Sequence, residues 1–391
     1  MTSIQLIVLD ATGSRRLEFS SGLPIVEVKD GVSAAPEVLA EAMGQELGIT
    51  GTILRVLGRN LLEVQLTGSD RVDKATLDWR PVADDPGHRL WWQRPGWMEL
   101  LSGPLDSALA DRGIRRTGPP VQVRYTSVTG LFQLPTNQGT LWLKTGPLLF
   151  AHEPAVISWV ADTGVAAVPE VVVQGPGWWV ARTFLEPLST PVGDPLRSMA
   201  KVQLASVDRT AELIQRGCPD LPLERLPDDV ADLAARRNLL TADESARLRA
   251  VLPALRSLCA QVGALGFPPA LVHADLHPQN VQWTRDGWLL FDWTDSCVTH
   301  PFVELAMPLS YDTPAVRRTR AAAYAADWRR IMPADAVASA LRAAPVIGAA
   351  HLAVSYRRIL ESIQHRPGDL PSSDDMVPWF KDWVHTLARS L

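Results

Sequence analysis

The sequence contains no run approaching the ~18 consecutive apolar residues that a membrane-spanning helix requires. Its first residues, MTSIQLIVLDATGSRR, lack the basic stretch, apolar core and small-residue cleavage site of a secretion signal. Cysteine is scarce: Cys218, Cys259 and Cys297 are odd in number and far apart, which argues against a disulfide framework or a zinc motif. An excess of positive charge is also missing. With 38 Lys and Arg against 43 Asp and Glu, the formal charge is −5, which argues against an extended nucleic-acid surface. That balance leaves room for a cationic ligand without demanding one. These absences predict a cytoplasmic protein with neither a membrane nor a nucleic acid as partner. No internal repeat or low-complexity tract is present either. What is there is ample apolar material: 46% of 391 residues are hydrophobic and 21% charged, enough for two or three domains with sizeable cores.

The first hundred residues read as a small α/β unit. Ile4–Leu9 alternates like a strand, and Ser33–Leu47 reads as a helix capped by Ser33, with Pro36 in its first turn and Gly48 at its end. Ile53–Leu57 and Leu61–Leu66 are expected strands joined around Gly58–Asn60. The next stretch holds Trp79, Trp91, Trp92 and Trp97 among prolines and glycines, and reads as a domain junction pinned by aromatic packing. Met98–Gly113 is an expected helix. Strands are expected at Val121–Tyr125, Leu131–Leu134 and Thr140–Lys144, a helix near Pro154–Thr163, and strands near Pro169–Val173 and Trp178–Phe184. From Asp194 to Gly266, and again after Ala315, the chain reads as helical. This order predicts three parts: 1–100, 101–187 and 188–391.

The chemistry concentrates in Leu271–Trp293, LVHADLHPQNVQWTRDGWLLFDW. His273, Asp275 and Asn280 form H-x-D-x4-N, flanked by short apolar runs, and Asp292 follows twelve residues after Asn280. Phosphoryl transfer to a hydroxyl asks for this set: one carboxylate to accept the proton, and a carboxamide and a second carboxylate to hold magnesium against phosphates. Each residue alone would more often be a turn, a cap or a structural histidine. Their joint spacing favours phosphotransfer.

HADLHPQN followed by FDWTD resembles the H-G-D-L-H-P-x-N and D-W segments of the aminoglycoside phosphotransferase and choline kinase family. The resemblance covers roughly Val121–Leu391. It implies an α+β, bilobal protein-kinase-like fold, with an antiparallel-sheet N-lobe and a helical C-lobe, here preceded by the small α/β domain. It also implies an ATP- and Mg2+-dependent transfer of phosphate to a small hydroxylated, amine-bearing molecule. Asp275 would be the catalytic base, His273 would brace its loop, and Asn280 and Asp292 would be magnesium ligands. His277 is expected in a structural hydrogen bond, with substrate contact as the alternative. Ala274 stands where the family has glycine, Thr294 where an acid commonly follows Asp-Trp, and Glu304–Leu305–Ala306 where the family has Asp-Leu-Ala.

From the small lobe the resemblance asks for a strand lysine and a helix glutamate to hold it. Lys144 in TLWLKT and Glu153, nine residues on, supply them, with Pro154 placing Glu153 at the helix cap. No G-x-G-x-x-G precedes that strand. The corresponding TSVTG offers backbone N–H groups and the hydroxyls of Ser127 and Thr129 for phosphates. Backbone groups near Thr183 and Leu185 are expected to meet adenine. Asp295, Glu304, Asp312 and Asp327 are candidates for an amine on the acceptor, with Tyr356 and Arg357 on a late helix. AEAMGQELGI is similar to the tail of a Nudix box. Only Glu46 of its carboxylates survives, which implies a non-hydrolytic cap; an unrelated appendage is the equal alternative. The competing functional reading is a catalytically inactive nucleotide-binding pseudokinase acting through its N-terminal domain.

Overall fold

In the computed structural model, which describes residues 2–10, 13, 15–18, 23–29, 35–58, 61–68, 78–81, 89–182, 188–363 and 376–391, the alternating apolar residues of the first strand do what a period of two demands. Ile4, Leu6 and Val8 of β1 (Thr2–Leu9) point into one core. Around it lie β2 (Arg15–Glu18), β3 (Ile25–Val28), α1 (Pro36–Ala42), β4 (Thr50–Gly58), β5 (Leu61–Gly68) and β6 (Asp78–Pro81). The sheet order is β4-β5-β1-β2-β6, with β3 also paired to β1; β1 and β5 run parallel and the other pairs antiparallel. Leu39, Ala42 and Met43 cover its apolar face. The helix ends as expected at Gly48, whose φ of +66° costs glycine nothing. Its expected cap, Ser33, lies outside the described residues. Four-residue β2, β3 and β6 are additions to the strands read from sequence.

Next comes α2 (Trp97–Ala110), then a five-stranded sheet built from β7 (Val121–Tyr125), β8 (Gly130–Thr136), β9 (Gly139–Thr145), β10 (Val171–Gly175) and β11 (Trp178–Arg182), in the order β10-β11-β9-β8-β7. Helix α3 (Glu153–Thr163) lies between β9 and β10 in sequence. The remainder is chiefly helical: α4 (Pro195–Ser206), α5 (Thr210–Gln215), α6 (Leu226–Ala234), α7 (Ala242–Gly263), α8 (Ala306–Ser310), α9 (Pro314–Trp328), α10 (Ala334–Ser362) and α11 (Met376–Ser390). Two short ladders interrupt it: β12 (Ala270–Val272) with β15 (Cys297–Thr299), and β13 (Val281–Thr284) with β14 (Gly287–Leu290). The architecture is α+β.

Two compact units emerge, one of Met1–Leu148, Val172–Arg182 and Leu360–Val377, the other of Leu149–Val171, Thr183–Ile359 and Pro378–Leu391. This division does not fall at residue 100. Gln122 on β7 donates to the Ile53 carbonyl at 2.9 Å and accepts from its N–H at 3.0 Å, like a strand neighbour. The tryptophan-rich stretch packs as aromatic filler: Trp91 meets Trp92 and Trp97 edge-on at 5.7 and 5.6 Å, and Trp97 meets Phe132 of β8 at 5.4 Å. The Trp91 Nε1 also donates to the Gly146 carbonyl at 3.1 Å. Helix α3 belongs to the second unit, where the Trp159 indole donates to Glu212 at 3.1 Å.

In that second unit α4 is the post to which the site is tied. The Asp194 side chain caps its start, and the Ser206 hydroxyl near its end accepts from the Leu271 N–H at 2.8 Å, fixing β12. Gln203, fully buried, donates to the Pro301 carbonyl and accepts from the Tyr324 hydroxyl and the Trp328 indole. This buried amide, bonded through both its nitrogen and its oxygen, locks α4 to α9. Thr241 and Glu244 form a capping box on α7, and Glu244 also pairs with Lys381 and His385 of α11. Burial pushes the Glu244 carboxyl up, but Lys381 and the Thr241 hydrogen bonds outweigh it and pull it down to about 2. Helix α10 is long and apolar enough by composition to cross a membrane; 67% of its most apolar window is buried within the protein, where it is a core helix.

Candidate active site

Both ladders direct loops to one place. Val272 pairs with Cys297, so the segments after β12 and before β15 leave that ladder at the same end. Val281 pairs with Leu290, so Asn280 and Phe291 sit together at the open end of the second hairpin, and the Phe291 N–H donates to the Asn280 carbonyl at 3.1 Å. The loops 273–280 and 291–296 are therefore clamped side by side by register alone.

Within the first loop, His273 is wholly buried. Its Nε2 donates to the Phe291 carbonyl at 3.2 Å while Nδ1 accepts the Asp275 N–H at 3.3 Å, a pattern only the neutral ring with its proton on Nε2 can satisfy. Burial, the largest influence, lowers its pKa and favours the same state. The ring thus joins the two loops without reaching solvent. Asn280 donates from Nδ2 to both the carbonyl and Oδ2 of Asp275, each at 2.9 Å. Asp275 itself remains partly exposed, with His277 Nε2 at 3.5 Å from Oδ2. His277 also accepts the Gln279 N–H through Nδ1.

The second loop presents Asp292 at a φ of +65°, a left-handed turn that aspartate tolerates better than most residues. Thr294 donates to Asp292 Oδ1 at 2.9 Å, and the Glu153 carboxylate accepts the Trp293 N–H at 3.1 Å. Glu153 is the first residue of α3, with His152 as its cap, one position earlier than Pro154 implied. Asp295 is held by the Ser355 hydroxyl of α10 at 2.7 Å. Its pKa is driven upward by burial first, then by the neighbouring charges of Asp275 and Asp292. Glu304, fully buried, accepts the His273 N–H at 2.7 Å; burial lifts it to about 7 despite that bond.

The remaining expected residues stand at these places. Lys144, half-buried on β9, lies opposite Trp179 and Leu131. Thr126 Oγ1 accepts the N–H groups of both Val128 and Thr129, closing the turn that holds Ser127, so the Val128 and Thr129 amides are already engaged. Thr183 and Leu185 lie outside the described residues. Tyr356 faces the site: after burial, the charges of Asp275 and Asp295 raise its pKa. Arg357 is buried. Asp312 pairs with Arg320 and Asp327 with Arg197, so both acids are committed internally. Sequence reasoning missed Glu304 as the brace of the His273 amide and Ser355 as the partner of Asp295. It also missed Tyr311, whose ring lies 6.2 Å from that of His277. Only Glu304 left a signal, as the acid of the segment replacing Asp-Leu-Ala.

The donor set suits a hard divalent cation. It consists of carboxylate and amide oxygens without thiolate or imidazole, and it crowds negative charge around Asp275, Asp292 and Asp295 that a cation would relieve. Among the described residues, no group of three or more His, Cys, Asp or Glu side chains is arranged to hold a metal unaided. Magnesium brought with phosphates needs only one or two protein carboxylates.

The fold is similar to that of choline kinase from Cryptosporidium parvum Iowa II, with a TM-score of 0.49 and 13% identity over 74% of this chain and 94% of that one. It is also similar to a macrolide 2'-phosphotransferase type I, at 0.48 and 16% over 72% and 96%. A third likeness is to an ethanolamine kinase from Plasmodium vivax, at 0.48 and 13% over 70% and 81%. No curated protein matches the chain in sequence. Residues 146–334, which contain both loops together with Glu153 and Glu304, match the phosphotransferase enzyme family.

Proposed function

We propose that this protein is an ATP- and Mg2+-dependent phosphotransferase acting on the hydroxyl of a small molecule. One observation carries the reading: Asp275, Asn280 and Asp292, separated in sequence, sit on two loops clamped by ladder register and joined through the buried His273. When bound, magnesium screens the phosphate charge, and Asn280 and Asp292 are the residues to hold it. Asp275 is the base. As the acceptor oxygen bonds to the γ-phosphorus and the bond to the bridging oxygen of ADP breaks, the hydroxyl proton passes to the Asp275 carboxylate. His273 does no proton transfer; it holds the Asp275 amide and the Phe291 carbonyl in one frame. Lys144, Glu153, Ser127 and Thr129, with the backbone near Thr183 and Leu185, are assigned to nucleotide binding.

The test is phosphate transfer from labelled ATP to a panel of hydroxylated compounds, with Asp275→Asn as the diagnostic variant. Turnover is expected to fall by about 10²–10⁴-fold, the usual contribution of a general base, with nucleotide affinity changed only a few-fold. Wild-type turnover by this variant would remove the assignment. Asp292→Ala should lose magnesium-dependent nucleotide binding in titration calorimetry.

A further inference from the structure

Beside the catalytic loop lies a cavity of about 780 Å³ whose walls come from α8, α9, α10 and α11. That volume falls in the ~300–1,000 Å³ range of small-molecule sites. Tyr311 belongs to both places: its ring lines the cavity and stands 6.2 Å from the His277 ring, and His277 Nε2 is 3.5 Å from Asp275 Oδ2. Tyr311 and His277 thus link the cavity wall to the proposed base.

Its walls are largely apolar, from Leu309, Leu341, Trp379 and Trp383 among others. Tyr311 and Trp379 keep 49% and 42% of their surface exposed with their rings 6.3 Å apart, a paired aromatic face that folding leaves uncovered. Trp383 is 7% exposed, and its indole Nε1 finds no hydrogen-bond partner among the described residues. Among the described residues, the charged groups of the lining are Arg317, Arg318 and Arg389 against Asp382, a local positive excess in a chain of net charge −5. None of the acids expected to greet an amine lines it: Asp295, Glu304, Asp312 and Asp327 are all bonded elsewhere.

We infer that, given the proposed phosphotransferase activity, the acceptor is a large, mostly apolar alcohol bearing an anionic group, seated between the Tyr311–Trp379 face and the three arginines, and not a polycationic amine. The apolar body covers the two exposed rings, the anion meets the arginines, and the hydroxyl reaches Asp275.

Calorimetric titration of the full chain without nucleotide tests this with three probes: ω-hydroxydodecanoate, its methyl ester and the matching ω-amino alcohol. The acid is expected to bind about tenfold more tightly than either analogue, the scale of two partly exposed ion pairs. The margin should narrow as salt rises and vanish in the Arg318→Glu, Arg389→Glu double variant, both surface positions. Equal or tighter binding of the amino alcohol, or binding of none of the three, overturns the inference. Adding labelled ATP separates the two readings. If the acid binds with the stated preference but neither it nor any compound of the panel is phosphorylated, the cavity assignment stands and phosphotransfer falls. If only the amino alcohol is phosphorylated, phosphotransfer stands and the anionic acceptor falls.

Discussion

Ala274 sits at a φ of +64°, in the left-handed region where its Cβ crowds the backbone. It does so because its neighbours are fixed: the buried His273 on one side and the Asp275 N–H bonded back to that ring on the other. Ala274→Gly is expected to stabilise the protein by about 1 kcal/mol, read from urea midpoints. An unchanged or lower midpoint would show that the turn is not held in this conformation. Glu304 makes a pH-dependent prediction. Its carboxyl ordinarily titrates at 4.5 but is raised to about 7, burial being the main cause. Between those values the unfolded chain releases the proton while the folded chain keeps it. The stabilisation is therefore complete below pH 4.5 and lost as pH rises through 7. The stability advantage of the wild type over Glu304→Gln should accordingly shrink across that interval, and a constant difference between the two unfolding curves would contradict it. Of these residues, His273, Asp275 and Asn280 were legible because eight consecutive residues carry them. Glu304 and Ser355 were not, since their roles depend on approaches across 31 and 60 residues that no local pattern encodes.

Helix α10 approaches the segment Pro301–Leu305 so closely that Gly348 has no substitute. A Cβ there would collide with the Ala306 side chain and lie 3.2 Å from the Val303 carbonyl. Gly348→Ala is expected to cost about 1–3 kcal/mol through overpacking, with a lowered melting temperature. It should also depress phosphotransfer, because the displaced segment bears Glu304 and the cavity wall. An unaltered melting temperature would mean that the two elements are not in contact. Strands such as β1, β5 and β7–β9 were readable from alternation over several residues. β2 and β6, with the sequences RRLE and DWRP, were not: four residues hold at most two per face, and their strand character comes from pairing with each other and with β1. The paired ladders that set the site are equally short, so the sequence announced the loops but not the registers that bring them together.

At the scale of the chain, the amino-terminal sheet and the five-stranded sheet share one unit, so residues 1–100 give structural support to the second of these sheets. Their removal would strip the Ile53 partner from Gln122, uncover Tyr125, which packs on the first core, and expose Trp97-facing Phe132. A chain beginning at residue 101 is expected to aggregate on expression; a soluble, monodisperse truncation with unaltered kinetics would show that the first hundred residues are dispensable. The bond from the Trp293 amide to Glu153 has a wider consequence. It makes the first turn of α3 part of the backbone that aims Asp292, so a displacement of that turn reorients the carboxylate next door. Under the proposed function, an effector that tugs α3 would silence transfer by shifting Glu153 and, through the Trp293 amide, turning the Asp292 carboxylate, without touching Asp275 or Asn280.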